Sequence, residues 1–376
     1  MPDSRPHLLI AGVTTRALAS SAARAGWRVT ALDAFGDLDL RAVAEFVPLS
    51  RGRTEHFPSD AVAYTSSFEN HPDAVERLAR GCRLLGNPPA VLRRVRDPIG
   101  LMRSLRRRGF ATPDTRATPP AGRPRASAWL LKPRRSGGGH GTVPWRGGRA
   151  VSRHAYLQER IAGVPGSVVF AADGRRAVTL GLSRQLVGDR GFGAHGFRYC
   201  GSLLSAPGAP LFEREPELLE AARALADAVA DEFGVVGLNG LDFIARGGVP
   251  YPIEVNPRWS ASMELVERAT GVCLFDLHLA ACRGRLPARR IRPISKRVLG
   301  KAVVFATRTV TMRDTHPWLD RPALADIPRP GERIARGRPI CTVFAEGASG
   351  EACSRRLLGE AGRIYRSTGS RTRGAA

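Results

Sequence analysis

Oxygen-bearing side chains gather in one short stretch of this sequence, residues 235–258, VVGLNGLDFIARGGVPYPIEVNPR. Read with a period of two, residues 241–244 form a strand, 246–248 a turn and 249–255 a return strand. Glu254 and Asn256 stand two apart, so their side chains share one face of the return strand. If the register puts Asp242 on that face as well, three oxygen donors converge. Hard cations such as Mg²⁺ take oxygen ligands, need few carboxylates and keep positions for substrate phosphates. Arg258 adds a fixed cation beside them, which suits an anionic substrate or intermediate. A solvated hairpin with an acidic outer face is the plain alternative. Pro250 and Pro252 withdraw N–H donors from one edge of the return strand, which predicts pairing on one side only.

A second group lies upstream. Residues 129–133 read as a strand carrying Lys132, followed by Arg134-Arg135-Ser136-Gly137-Gly138-Gly139-His140-Gly141. Closely spaced glycines let backbone N–H groups approach phosphate oxygens, and Lys132 adds a point charge. The stretch is not a Walker loop, because no G-K-[ST] follows. Only three of the chain's 58 basic residues are lysines (Lys132, Lys296 and Lys301), so a lysine in front of the glycines departs from the chain's own habit. A third segment, residues 156–163, is an apolar strand that turns polar at Gln158-Glu159-Arg160 before Ile161 and a turn.

Taken together, K-P-x-x-x-G-G-G-x-G, then L-Q-E-x-I-x-G-x-x-x-S-V, then L-D-F…E-V-N-P-R resemble the ATP-grasp superfamily in order and separation. Its members join a carboxylate to an amine or related nucleophile at the expense of ATP. The resemblance covers roughly the middle half of the chain. It implies that Lys132 binds phosphate, that Gly137, Gly138, Gly139 and Gly141 form the loop over the phosphates, and that Gln158, Glu159, Arg160 and Ile161 form the hinge that holds adenine. It further implies that Asp242, Glu254 and Asn256 ligate Mg²⁺ (or Mn²⁺), and that Arg258, with Lys132, stabilises an acyl phosphate. Many relatives carry Asp-Lys in the helix where this chain has Asp97-Pro98, so Arg94 or Arg96 would have to replace that lysine, as a planar fork rather than a point charge. Shorter motifs, G-V-T-T-R-A-L-A, F-G-D-L-D, S-F-E-N and S-R-Q-L, resemble predicted carboligases that include members of one-carbon cofactor biosynthesis. They bring in Glu69, Asn70, Arg184 and Gln185 as candidate substrate contacts. For Asn70 or His71, a helix N-cap is the competing explanation.

The positioning elements follow from the patterning. Residues 7–12, 14–26 and 27–33 read as a β-α-β unit without G-x-G-x-x-G, a Rossmann-like start with no dinucleotide signature. Residues 217–233 carry Leu218, Ala222, Leu225, Val229 and Phe233 on one stripe and end at Gly234. Loops rich in Pro, Gly or Arg fall near 86–89, 112–126 and 283–293. The predicted organisation is α/β throughout: a Rossmann-like domain over 1–89, an ATP-grasp domain over 90–287, and a β-rich segment over 288–376. That last segment is expected to contain a helix over 351–358 and a disordered basic end from 367.

With 376 residues and 43% hydrophobic content, the chain can bury a large core. It has no run of eighteen apolar residues and its start lacks a secretory h-region, which points to a cytoplasmic protein without membrane partners. The six cysteines are scattered without a C-x-x-C pair, arguing against zinc and for reduced thiols. No Ser-His-Asp or Cys-His arrangement is required for acyl-phosphate chemistry. Two other classes stay open beside the ligase: a nucleotide sensor that has lost catalysis, and a basic nucleic-acid-binding protein.

The net charge of +24 is what raises the nucleic-acid reading. Arginines are spread over the whole chain, aromatics make up only 6% and do not interleave with them, so the charge reads as composition rather than a binding face. Duplex DNA should therefore bind weakly, and binding should collapse at physiological salt. Submicromolar affinity persisting there, measured by fluorescence anisotropy, would restore the nucleic-acid reading.

Overall fold

A computed structural model describes residues 4–49, 57–120, 128–147, 151–288, 291 and 293–369. The arginine cluster at 289–292, apart from Ile291, and the end of the chain from 370 lie outside the described residues, as do residues 121–126 of the loop expected at 112–126.

The chain opens with five parallel strands, β1 (His7–Ala11), β2 (Arg28–Asp33), β3 (Glu45–Pro48), β4 (Ala61–Tyr64) and β5 (Arg83–Leu85). Helices α1 (Arg16–Arg24), α2 (Leu38–Arg41) and α3 (Pro72–Leu78) connect them. The spatial order is β3-β2-β1-β4-β5, so the direction of winding reverses between β1 and β4. Such a switch point opens a crevice at the strands' carboxyl ends. The segment that emerges there after β4 is a single 3-10 turn, Phe68–Asn70, and it buries Glu69 and Asn70. Asn70 does not cap α3: the capping position is His71, whose side chain makes no capping bond.

Two short helices follow, α4 (Pro89–Val95) and α5 (Pro98–Arg107). Asp97 caps α5 by accepting from Ile99 N at 3.3 Å and Gly100 N at 3.2 Å. Pro98 therefore occupies the first helical position, where its missing N–H costs nothing.

Beyond them lie two antiparallel sheets. The smaller contains β6 (Thr115–Arg116), β7 (Trp129–Pro133), β8 (Val143–Trp145) and β9 (Ala155–Glu159) in the order β6-β9-β7-β8. The larger is built on β10 (Val164–Asp173), β11 (Ala177–Val187), β12 (Tyr199–Leu204), β13 (Val236–Arg246), β14 (Val249–Asn256) and β15 (Val298–Phe305). Helix α6 (Glu215–Phe233) packs its apolar stripe on one face of this sheet and ends at Gly234 with φ +70°. Helices α7 (Met263–Thr270) and α8 (Leu274–Ala281) cover the other face, where the core runs on into the first sheet through Leu8, Ile10 and Leu18.

The remaining strands are β16 (Val310–Thr311), β17 (Leu324–Ala325), β18 (Arg333–Ile334) and β19 (Pro339–Gly347). Through β19 and β17 the carboxyl-terminal part continues the large sheet, whose full order is β14-β13-β10-β11-β12-β15-β19-β17. The final helix, α9 (Gly350–Ser367), is longer than the pattern suggested. Gly359 and Gly362 hide a stripe that continues from Cys353 and Leu357 through Ala361, Ile364 and Tyr365, all buried in the core. Residue 367 is thus helical rather than disordered.

One buried charge cluster joins α1, α7 and β15. Glu264 on α7 accepts from Arg16 Nη2 at 3.0 Å and from Lys301 Nζ on β15 at 2.7 Å. Arg16 also reaches Asp326 at 2.9 Å. Burial alone would raise the Glu264 carboxyl, but Arg16 and then Lys301 outweigh it and hold the group well below the usual carboxylate range. A carboxylate depressed in the folded state contributes stability that is complete above its unfolded pKa of about 4.5 and lost as pH falls toward the folded value. Glu264→Gln should cost about 3–5 kcal/mol at pH 7, because Arg16 and Lys301 lose a buried partner. The gap between variant and wild type should close on acidification, which chemical denaturation at several pH values would measure.

Candidate active site

The hairpin register settles where the acidic side chains go. Asp242 pairs directly with Glu254, and Gly240 with Asn256, so Asp242, Glu254 and Asn256 stand on one face. A bulge after Asp242 shifts the register by one and lets Phe243 meet Pro252. Without that extra residue the lower half of the hairpin would be one step out of phase. β14 is an edge strand, as its two prolines require. Asn256 Nδ2 donates to Asp242 Oδ2 at 3.0 Å.

The two facing carboxylates sit in different fields. Burial first, and then the charge of Glu254, pushes the Asp242 carboxyl up to about 6, against hydrogen bonds from Ser167, Asn256 and Gln185. Glu254 is displaced the other way: burial opposes ionisation, but Arg96, Lys132 and Arg258 hold its carboxyl below the ordinary value. Among the described residues no three Asp, Glu, His or Cys side chains group as ion ligands. The donor set here is two carboxylates and the Asn256 carboxamide.

Three cations come from three separate elements. Arg96, at the end of α4, donates to Glu254 Oε2 at 3.1 Å and to the Val255 carbonyl at 2.9 Å. Its other nitrogens reach Asn70 Oδ1 at 2.9 and 3.2 Å and the Ser136 carbonyl at 3.2 Å. Arg94 instead donates to the Glu232 carbonyl on α6, so of the two arginines only Arg96 faces the hairpin. Lys132 comes from β7 and donates to Gln158 Oε1 at 3.0 Å. Arg258 donates to Glu69 Oε1 at 2.9 Å and to Asn256 Oδ1 at 3.1 Å. The carbonyl of Pro257, beside Arg258, accepts from Tyr64 and from Asn87 Nδ2 at 3.1 and 3.0 Å. Asn87 also holds Asn239 and Val236 N on β13, so the turn read only as a break anchors the hairpin to the first sheet.

The glycine loop spans 134–142 between β7 and β8. Gly138, Gly139 and Gly141 all have positive φ. A Cβ on Gly139 would lie 1.8 Å from the Phe197 carbonyl oxygen, so no side chain fits. Tyr199 N donates to the Gly138 carbonyl at 3.0 Å, which packs the loop against residues 197–199. The hinge at 158–161 is where the chain leaves the small sheet for the large one. Gln158 is buried and turned toward Lys132, with Nε2 near Thr115 and Ile253. The N–H groups of Glu159 and Arg160 are taken by the carbonyls of Asp114 and Ala128. Ile161 follows them and is partly exposed.

Arg184 is not brought to this group. As Gln185's neighbour in β11 it points to the opposite face and is exposed, whereas Gln185 reaches Asp242. His195 is exposed. Asp33 is committed to its own loop, accepting from Thr15, Phe35 and Gly36.

The glycine loop and Lys132 on the small sheet and the carboxylate hairpin of the large one are joined through Arg96, which bonds both Ser136 and Glu254. Residues 95–262 match the ATP-grasp domain family. Several solved structures share the fold along nearly the whole chain. The L-amino acid ligase of Bacillus licheniformis is 18% identical with a TM-score of 0.66, covering 96% of this chain and 98% of that one. N5-carboxyaminoimidazole ribonucleotide synthetase of Thermus thermophilus is 20% identical with a TM-score of 0.68, covering 98% and 100%. In sequence, 118 residues are 28% identical to an uncharacterised protein of Methanocaldococcus jannaschii, spanning 31% of this chain and 28% of that protein. A further 68 residues are 39% identical to the carbamoyl phosphate synthase large chain of Myxococcus xanthus, spanning 18% of this chain and 6% of that protein. Among the described residues no helix is long and apolar enough to cross a membrane.

The raised Asp242 carboxyl has a measurable consequence. A carboxyl whose folded pKa lies above its unfolded value costs stability as pH rises from about 4 to 6, and the cost is complete above that range. In metal-free protein Asp242→Asn removes the buried charge. It should therefore raise stability by about 1–3 kcal/mol at pH 8 and leave it nearly unchanged at pH 4. Denaturation in the presence of a chelator tests this, and a destabilised variant at pH 8 would contradict the field described.

Proposed function

We propose that the chain is an ATP- and Mg²⁺-dependent ligase that joins a small-molecule carboxylate to an amine through an acyl phosphate. The observation that carries this reading is the direct pairing of Asp242 with Glu254, with Asn256 on the same face and Lys132, Arg96 and Arg258 around them. Two mutually repelling carboxylates and a carboxamide fit a hard dication, Mg²⁺ or Mn²⁺, far better than they fit empty space. Asp242, Glu254 and Asn256 would hold the ion, which would supply neutralisation of the charge that builds on the phosphates.

The protein's own groups divide the remaining work. Lys132, held straight by Gln158, offers a point charge to the phosphates. The N–H groups around Gly137, Gly138, Gly139 and Gly141 close over them. Glu159, Arg160 and Ile161 form the wall against which adenine would lie, with contacts falling toward Ile161, because the first two N–H groups are engaged. Arg96 takes the place of the lysine absent at Pro98. It keeps a cation beside Glu254 and ties it to the glycine loop through Ser136. Arg258 would face the acyl phosphate once the carboxylate has taken the γ-phosphoryl group. Catalysis of this kind is positioning plus charge neutralisation and requires no side-chain nucleophile. The division into parts at 1–89, 90–287 and 288–376 belongs to this proposal, as does a place in cofactor biosynthesis.

The test is ATP-dependent ADP release by purified protein against a library of carboxylates and amines. Lys132→Ala should weaken ATP binding by about 1–3 kcal/mol, the size of a charge-assisted contact. Glu254→Gln should abolish turnover while keeping the fold by circular dichroism, since it removes a ligand charge with little change of shape. ADP release by that variant at the wild-type rate would sink the assignment.

A further inference from the structure

The junction between the first sheet and the hairpin contains polar atoms without partners. Glu69 Oε2, Asn70 Nδ2, Arg258 Nε and Trp259 Nε1 are all buried and unbonded. Glu69 and Asn70 are 1% and 6% exposed, and they belong to one turn at the switch point of the first sheet. Three of these atoms, on Glu69, Asn70 and Arg258, belong to side chains whose other polar atoms are held, while the Trp259 indole has only the one N–H. Glu69 Oε1 takes Arg258 Nη2, and Asn70 Oδ1 takes two nitrogens of Arg96. Unbonded buried polar atoms carry the full cost of desolvation. Four of them, from two elements that meet in an ion pair, point to a ligand that would complete them.

The inventory of these atoms restricts the ligand. There is one anionic acceptor, Glu69 Oε2, and there are three N–H donors, on Asn70, Arg258 and Trp259. The ligand must therefore present a cationic donor and an anionic acceptor a short distance apart. A simple carboxylate would suit Arg258 but would be repelled by Glu69. A simple amine would suit Glu69 but would displace Arg258 without replacing its partner. A zwitterion inserted between the two keeps the charges alternating, carboxylate to ammonium and carboxylate to guanidinium, and the total charge does not change.

We infer that Glu69, Asn70 and Arg258 form a subsite for an α-amino acid, whose ammonium group binds Glu69 and whose carboxylate binds Arg258 and Asn70. The inference rests on the ligase reading and narrows one of its two substrates. Binding opens the Glu69–Arg258 contact, because the unbonded atoms are enclosed while that contact is closed. The same exchange frees Arg258 from Glu69 at the moment substrate arrives. Arg96 joins Asn70 to Glu254, so the subsite is coupled through one side chain to the carboxylate hairpin.

The experiment compares wild type with Glu69→Gln, which preserves shape and removes the charge. Thermal stability is read with MgADP present, alone and with an equimolar mixture of the twenty protein L-amino acids. Lactate and ethylamine serve as acid-only and amine-only probes. ADP release from MgATP is read with the same additions. The mixture should stabilise wild type and stimulate ADP release. Lactate and ethylamine, singly, should do neither. In Glu69→Gln the amino acids should act at least tenfold more weakly, Glu69→Asp should recover part of the effect, and MgATP affinity should stay within about threefold of wild type. An equal response of Glu69→Gln and wild type, a response to lactate alone, or no response of wild type to the mixture would each overturn the inference. The ligase reading would survive these results if another carboxylate drove ADP release, and would fall only if wild type neither bound MgATP nor released ADP.

Discussion

Two carboxylates placed opposite each other across a hairpin repel, and the surroundings of this pair answer that repulsion on one side only. Glu254 has Arg96 against it, with Lys132 and Arg258 near enough to lower its carboxyl. Asp242 has neutral donors, from Ser167, Asn256 and Gln185, and its carboxyl rises. The pair therefore has a direction: Glu254 ionises more readily than an ordinary carboxyl and Asp242 less readily. The elements that supply the three neighbouring cations are far apart in sequence, in α4, in β7 and just beyond β14. Their convergence needs the two antiparallel sheets and the first sheet to be held in one arrangement.

That arrangement is secured by side chains rather than by apolar packing alone. Asn87 and Tyr64 close on the Pro257 carbonyl, which fixes the backbone immediately before Arg258. On the other side of the same junction Glu264 gathers Arg16 and Lys301, one from α1 and the other from β15. Each of these bonds joins segments that a hydrophobic interface would let slide. Buried polar groups tolerate little displacement before a partner is lost, so they specify one relative position. Placement of Arg258 depends on that specification more than on any local propensity.

The hairpin and the glycine loop were legible in the sequence because both are local. Their spacing, turn residues and prolines state which side chains share a face, and the edge position of β14 follows from Pro250 and Pro252 directly. The bulge after Asp242 was not legible, although the direct facing of Asp242 and Glu254 depends on it. Arg96 was visible only as one of two arginines. The helical period offered the answer, since Arg96 is four residues beyond Leu92, buried at 0% exposure, whereas Arg94 lies on the opposite side of the helix. Arg184 and Gln185 were read together as a motif, and the alternation of a strand separates them by construction. Asn87 and the Glu264 cluster carried no signal, because their partners are more than a hundred residues away or in another sheet. The last helix was cut short for a different reason: two glycines outweighed an apolar stripe that tertiary packing could use.

The arginine at position 96 has its own logic. A lysine at the position of Arg96 would serve one acceptor well, as a compact charge that can follow a phosphate. The guanidinium serves four at once: the Glu254 carboxylate, the Val255 carbonyl, the Asn70 carboxamide and the Ser136 carbonyl. Those acceptors belong to the hairpin, the first sheet's turn and the glycine loop. One side chain thus joins these three parts of the structure. Lys132 stays a lysine in a sequence that otherwise prefers arginine. Its ammonium donates to one neutral side chain, Gln158, and lies over the Tyr156 ring, a lighter set of contacts than that of Arg96.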